Sequence, residues 1–186
     1  MRAIFLDRDG VINRYPGDGK YVTSWKEFHF LPGAKEAIAK LYKNKFKIFV
    51  ISNQAGVNKG IFSRRTLDLI TRNMHLEIKE AQGKIHGVYY CIHRPEENCS
   101  CRKPCTGLID KVKKRYNICI KDSFFIGDTM RDVRTARAAG LKSILVLSGR
   151  EKLSNCKNWE VKPDFIFRNL REAAEFILSQ KIHPSN

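Results

Sequence analysis

Two carboxylates stand two residues apart in Phe5-Leu6-Asp7-Arg8-Asp9-Gly10-Val11, directly after the apolar run Ala3-Ile4-Phe5-Leu6. On a strand, side chains at i and i+2 share a face. Asp7 and Asp9 are therefore predicted to look into one volume past the strand's carboxyl end, where open α/β sheets bind ligands. Three later stretches carry matching chemistry: Ser52-Asn53-Gln54, Arg102-Lys103, and Gly127-Asp128 with Asp132 four residues on. Taken singly, each reads as a strand end or a helix entry. Taken in order, at successive strand ends, they describe a site that handles a phosphate monoester. Such an ester is a dianion that repels a carboxylate nucleophile. A divalent cation held by Asp7 and Asp128 offsets that repulsion, and carboxylates with phosphate oxygens are a ligand set Mg²⁺ favours. Lys103 adds a point charge and Ser52 a hydroxyl donor on the phosphoryl oxygens. Asp7 then attacks phosphorus to form an aspartyl-phosphate. Asp9 protonates the departing alkoxide and later takes a proton from the water that cleaves the intermediate.

A second constellation is Cys91-Ile-His93-Arg-Pro-Glu-Glu-Asn-Cys99-Ser-Cys101. Three thiolates and one imidazole suit tetrahedral Zn²⁺, and four protein ligands make the ion structural. Cys105 rivals Cys101 for the fourth place, while Cys119 and Cys156 read as isolated thiols. The loop runs directly into Arg102-Lys103, so a zinc clamp there would hold two cations against the site.

These residues need an alternating scaffold, and the apolar pattern supplies one. Strands are predicted at Ala3 to Leu6, Lys47 to Ser52, Val88 to Ile92, Ser123 to Ile126, Ser143 to Leu147 and Asp164 to Phe167. Helical spacing is predicted from Pro32 to about Asn44, with Pro32 in the first turn. Further helices run from a Ser63 cap to about Gln82, with Gly83 as the stop, and from a Thr106 cap through Leu108, Ile109, Val112 and Tyr116. Met130 to Ala139 precedes Gly140, and Asn169-Leu-Arg-Glu172 resembles a capping box opening the last helix. Residues 13–20 read as a loop or small flap, 148–163 read as loop, and 21–30 have no assignment. Strands alternating with helices at these lengths specify a three-layer, Rossmann-like α/β fold, a parallel sheet with helices on both faces.

The 186 residues are expected to form one domain spanning 1–186, ample for a core without disulfides. No signal peptide or membrane span is evident, so a cytoplasmic setting is expected and the six cysteines read as metal ligands or free thiols. A net charge of +16 favours anionic partners: nucleic acid, acidic membrane or phosphorylated small molecules. It is spread along the chain, and no aromatic-basic stripe for stacking bases accompanies it.

The chain resembles the haloacid-dehalogenase superfamily of aspartate-nucleophile phosphatases over nearly its whole length. Asp7-Arg-Asp9-Gly-Val11 is similar to the first motif, and Ser52-Asn-Gln-Ala-Gly56, Arg102-Lys103-Pro104 and Gly127-Asp128 through Asp132 are similar to the other three. The form of the first motif resembles the subgroup of heptose bisphosphate and histidinol-phosphate phosphatases, whose members lack a large cap domain and carry a similar zinc loop before the Arg-Lys pair. The resemblance implies Mg²⁺ on Asp7, Asp9 and Asp128 with Asp132 behind them, and structural Zn²⁺ on Cys91, His93, Cys99 and Cys101. It implies substrate contacts from Tyr15, Asp18, Ser52, Asn53, Gln54, Arg102 and Lys103. The implied substrate is a small phosphorylated sugar, the 7-phosphate of a heptose 1,7-bisphosphate in nucleotide-activated heptose and lipopolysaccharide-core biosynthesis. A monomer is expected, with no nucleic-acid or membrane partner. Histidinol phosphate is the alternative substrate. A polynucleotide 3′-phosphatase is a further one, although such enzymes carry Thr where this chain has Val11. A non-catalytic zinc or nucleic-acid binding module is the last alternative. Relatives often place Lys or Arg after the fourth-motif Asp, where this chain has Thr129.

Overall fold

The computed structural model describes residues 1–180. Six strands, β1 (Ala3–Leu6), β2 (Lys47–Asn53), β3 (Gly87–Cys91), β4 (Phe124–Gly127), β5 (Lys142–Val146) and β6 (Phe165–Phe167), pair in the order β3-β2-β1-β4-β5-β6. Every pairing is parallel. β1 and β4 are therefore neighbours inside the sheet whose onward connections, β1 to β2 and β4 to β5, leave in opposite directions, the switch point where a crevice opens at the carboxyl ends.

All four β1 residues are buried, as expected of a strand covered on both faces. Alternation sends Ile4 and Leu6 into one core layer with Ile48, Val50 and Ile126, under α1 (Ala34–Lys43), α2 (Arg64–Glu80) and α5 (Leu170–Ser179). Ala3 and Phe5 enter the opposite layer with Phe49, Ile51 and Phe125, under α3 (Gly107–Arg115) and α4 (Met130–Ala138). Fully burying side chains such as Phe5 and Phe49 stabilises by about 1.5–3 kcal/mol each. These two layers lock the register that sets Asp7 at the sheet edge.

Local chemistry fixes most boundaries. Ser63 caps α2 by accepting from Thr66 N–H at 3.0 Å, and Asn169 caps α5 by accepting from Glu172 N–H at 3.1 Å. β4 and β5 each move by one residue from the expected bounds, and three other expectations shift. The first helix begins at Ala34, because Gly33 takes a left-handed turn (φ 76°) after Pro32. Thr106 does not cap α3; its hydroxyl donates to Asp110 Oδ2 at 2.7 Å instead. The third strand starts at Gly87 and ends at Cys91, one residue early, which pairs Asn53 with Cys91. The unassigned stretch contains a 3₁₀ turn, Trp25–Glu27, stapled by stacking of Trp25 on Phe28. The stretch read as loop after β5 contains another, Leu153–Asn158. No helix among the described residues is long and apolar enough to cross a membrane.

Candidate active site

The carboxyl ends of β1, β2 and β4 open into a cavity of 260 Å³ lined by Asp7, Asp9, Ser52, Asn53, Arg102, Lys103, Asp128 and Asp132. Its roof is the segment 15–21 and its far rim includes Thr129, Arg131 and Arg150. Asp7 follows the last residue of β1; its N–H donates to Ile126 O at 3.0 Å, and its Oδ1 accepts from Arg8 N–H at 2.7 Å. Lys103, only 3% exposed, reaches in from the β3–α3 loop. Its Nζ lies 2.8 Å from Asp7 Oδ2 and 2.6 Å from Asp132 Oδ1, close ion contacts that are not aligned hydrogen bonds.

Asp128 follows β4 and is held by Arg150 N–H, which donates to Oδ2 at 2.8 Å. Two glycines give it room: a Cβ at Gly10 or Gly149 would stand 2.2 or 2.0 Å from that oxygen. Gly10 also takes φ 82°, so the turn after Asp9 and the seat of Asp128 depend on one residue without a side chain. Asp132 faces two ways. Its Oδ2 accepts from Thr129 N–H at 3.1 Å and from Thr129 Oγ1 at 2.6 Å, closing the first turn of α4, while Oδ1 meets Lys103.

Oxygens of Asp7, Asp128 and Asp132 all lie within 4.8 Å of one another. Three carboxylates against the Lys103 ammonium leave an excess of negative charge. Burial pushes Asp7 above the usual carboxylate range; Lys103 opposes this, and Asp132 and Asp9 add to it. Burial, Asp132 and Asp7 push Asp128 well above it, against Arg150 N–H and Lys103. For Lys103, burial disfavours the ammonium, but Asp132 and Asp7 more than compensate and raise its pKa. A buried, oxygen-only, net-negative donor set fits a hard divalent cation.

The sequence placed Asp9 among the metal ligands and Asp132 behind them. The carboxylates that converge are those of Asp7, Asp128 and Asp132, and the Asp9 carboxylate lies outside that cluster. The reason is the Asp9 environment. Its Oδ1 accepts from Arg8 Nε (3.1 Å), Arg8 Nη2 (2.9 Å) and Asn13 Nδ2 (2.9 Å), and its Oδ2 accepts from Arg8 Nη2 (3.0 Å) and Gln54 Nε2 (2.8 Å). Gln54 is likewise not a cavity contact; fully buried, it donates to Asp9 and to Ser52 Oγ at 3.2 Å. Asn53 lines the cavity, but its amide is spent on the Lys103 backbone, accepting from Lys103 N–H at 3.1 Å and donating to Lys103 O at 3.2 Å. Tyr15 and Asp18 do line the cavity, joined to each other and tied to the rim by Arg150 Nε, 2.9 Å from Asp18 Oδ1. Burial first, then Asp18, pushes the Tyr15 phenol up to about 12. Sequence reasoning missed Arg131 and Arg150. Arg150 was findable, since β5 ends on the same sheet edge and Gly149-Arg150 follows it.

On the β3–α3 loop, Cys91, His93, Cys99 and Cys101 converge. The three sulfurs are 3.4, 3.4 and 3.6 Å apart, and His93 Nδ1 is 3.6 and 3.2 Å from Cys91 and Cys101. Tetrahedral zinc with bonds of 2.3 Å to sulfur and 2.0–2.1 Å to nitrogen has ligand–ligand edges of about 3.8 and 3.6 Å, so the donors fit. Cys101 is in the group, and Cys105 is exposed and outside it. Burial pushes Cys91 up to about 12, whereas hydrogen bonds from Cys101 and Cys91 outweigh burial and bring Cys99 down to about 7. Arg102 Nη1 donates to His93 O at 3.3 Å, tying the cluster to the cavity wall.

A family model described as HAD-hydrolase-like matches residues 100–173. The chain is 32% identical over 186 residues to D-glycero-beta-D-manno-heptose-1,7-bisphosphate 7-phosphatase of Neisseria meningitidis serogroup A, covering 99% of this chain and 98% of the relative. The Helicobacter pylori (strain 26695) protein of that name is 35% identical over 165 residues, 88% of this chain and 93% of its own. Among solved structures, D,D-heptose 1,7-bisphosphate phosphatase from B. bronchiseptica, complexed with magnesium and phosphate, superposes with a TM-score of 0.89 at 31% identity, covering 96% of this chain and 98% of that one.

Proposed function

We propose a reaction from a settled premise: the chain belongs to the D-glycero-D-manno-heptose-1,7-bisphosphate 7-phosphatase family of HAD-like hydrolases. It is a phosphomonoester hydrolase, and its substrate is a heptose 1,7-bisphosphate from which it removes the 7-phosphate. One observation carries the chemistry: Lys103 Nζ touches Asp7 and Asp132 at once, beside Asp128, in one cavity.

Two like unit charges 4 Å apart at an effective dielectric of 20 repel by about 4 kcal/mol. A dianionic phosphoryl group approaching Asp7 meets roughly twice that, enough to forbid attack unless cations share the cavity. Lys103 supplies one. Asp7, Asp128 and Asp132 are the side chains that would hold Mg²⁺, which when bound would neutralise phosphoryl oxygens. A carboxylate oxygen of Asp7 attacks phosphorus, the ester P–O bond breaks, and Asp9 gives its proton to the leaving alkoxide. Water then attacks the aspartyl-phosphate, Asp9 takes its proton, and inorganic phosphate leaves with Asp7 restored. Ser52 stands at the cavity wall as a hydroxyl donor to the phosphoryl group. Arg102, Arg131 and Arg150 face the same space from the rim and suit the second phosphate of a bisphosphate, taking the place of the basic residue that Thr129 lacks. Tyr15 and Asp18 close over the sugar. Cys91, His93, Cys99 and Cys101 hold structural Zn²⁺. The enzyme works as a cytoplasmic monomer, without nucleic-acid or membrane partners.

The test is inorganic phosphate release across heptose bisphosphate, histidinol phosphate and a 3′-phosphorylated oligonucleotide, with wild type and Asp7→Asn. Release from the heptose bisphosphate at the highest kcat/KM, abolished by Asp7→Asn in a protein that still melts cooperatively, is the expected result. Preference for histidinol phosphate would overturn the substrate, and turnover surviving in Asp7→Asn would overturn the nucleophile.

A further inference from the structure

Arg8 is the largest fully buried side chain described, and nothing in the reaction scheme uses it. It sits between the nucleophile and Asp9 in sequence, yet its guanidinium folds back onto Asp9 alone, making three of the five contacts that carboxylate receives. Its plane is walled by the rings of Phe28 and Tyr90, 5.9 and 5.8 Å from the guanidinium carbon, and Nη1 has no hydrogen-bond partner. Leaving a buried guanidinium nitrogen unpaired costs stability. A core residue selected for packing alone would be apolar here. A planar fork is the group that fixes the orientation of a carboxylate, as a lysine does not.

We infer that Arg8 is a positioning residue: with Asn13 and Gln54 it fixes the plane of the Asp9 carboxylate so that the group faces the ester oxygen. This rests on the reading of Asp9 as proton donor to the leaving group. Its signature is dependence on the leaving group. An alkoxide needs Asp9's proton, whereas p-nitrophenolate leaves without one, so the two esters separate positioning of Asp9 from general damage.

The experiment measures single-turnover cleavage of an alkyl sugar phosphate and the pre-steady-state burst of p-nitrophenolate from p-nitrophenyl phosphate, in wild type, Arg8→Met, Arg8→Lys and Asp9→Asn. Arg8→Met is expected to slow the alkyl ester roughly 100-fold, the lower end of general acid catalysis, while the burst rate stays within about threefold and KM is little changed. Arg8→Lys, which keeps the charge without the fork, is expected to fall between and covers the case in which Arg8→Met does not fold. In the Asp9→Asn background, Arg8→Met is expected to add almost nothing, because both changes act on one group. Equal loss on both esters, no loss on either, or full additivity with Asp9→Asn overturns the inference and leaves the phosphatase reading intact. Wild type releasing phosphate from neither ester overturns that reading instead.

Discussion

Asp132 serves two masters, and two substitutions separate them. Asp132→Asn keeps an oxygen for the Thr129 N–H and so preserves the cap of α4, but loses the charge that meets Lys103. Asp132→Ala loses both. The first is expected to cut kcat/KM by about tenfold or more with little change in Tm; the second adds the roughly 1 kcal/mol of a lost cap, read by thermal melting. His86 makes a pH prediction. Its Nδ1 accepts from Ile48 N–H at 3.1 Å, and burial, helped by Lys47 and Lys84, brings its pKa down to about 4. The unfolded chain binds that proton first, so the ring's stabilisation is whole above its ordinary pKa of 6.5 and is lost as pH falls from there toward about 4. The measurement is Tm across that interval, which in His86→Asn should fall less steeply than in wild type. At this scale the sequence revealed which residues matter better than what each touches. Asp7 and Asp128 share the cavity as their strand-end positions require, and the β3–α3 loop brings Lys103 to them. Asp9 shares the cavity with Asp7 as the two-residue spacing requires, but its ties to Arg8, Asn13 and Gln54 were not legible, because β1 ends at Leu6 and those partners come from turns beyond it.

Among elements, the β3–α3 loop carries the greatest demand, for it must bring Lys103 and Arg102 to the sheet edge with no regular structure beyond a 3₁₀ turn, Pro95–Glu97. It is anchored by the pairing of Cys91 with Asn53, by the Asn53 amide on the Lys103 backbone, by Arg94 and Glu97 on Asn58, and by the thiol-imidazole cluster. Cys99→Ser is expected to halve the bound zinc or worse, lower Tm by roughly 5–10 °C, and reduce kcat through Lys103. Cys105→Ser, outside the cluster, is expected to leave all three readouts unchanged; metal analysis and calorimetry of the pair decide it. The cluster was legible from spacing alone because His and Cys seldom gather for another reason in such a short stretch. The Asn53 brace was not, because it joins residues fifty apart through an adjacency that only the strand register creates. Helix ends with a committed cap, Ser63 and Asn169, were legible too. Gly33 and Thr106 were not, since a turn and a side-chain rival competed with the pattern.

For the whole molecule, parallel pairing was implied by alternation of strands and helices, whereas the order β3-β2-β1-β4-β5-β6 comes from the structure and brings the distant motifs to one edge. The net charge of +16 acts at this scale by drawing an anionic substrate from solution. kcat/KM on a bisphosphate is therefore expected to fall as salt rises from about 0.05 to 0.5 M, where the screening length shrinks to a few ångströms, while kcat holds. Steady-state rates over that range test it. The two proposed ions differ in accessibility, since one donor set opens on a cavity and the other closes four ligands around its centre. A short exposure to chelator should strip the first and spare the second, so that magnesium alone restores full rate. A long one should take both, after which magnesium recovers only part of the rate. The history of a preparation would then be written in its specific activity, with the shortfall after magnesium measuring how many loops have come undone.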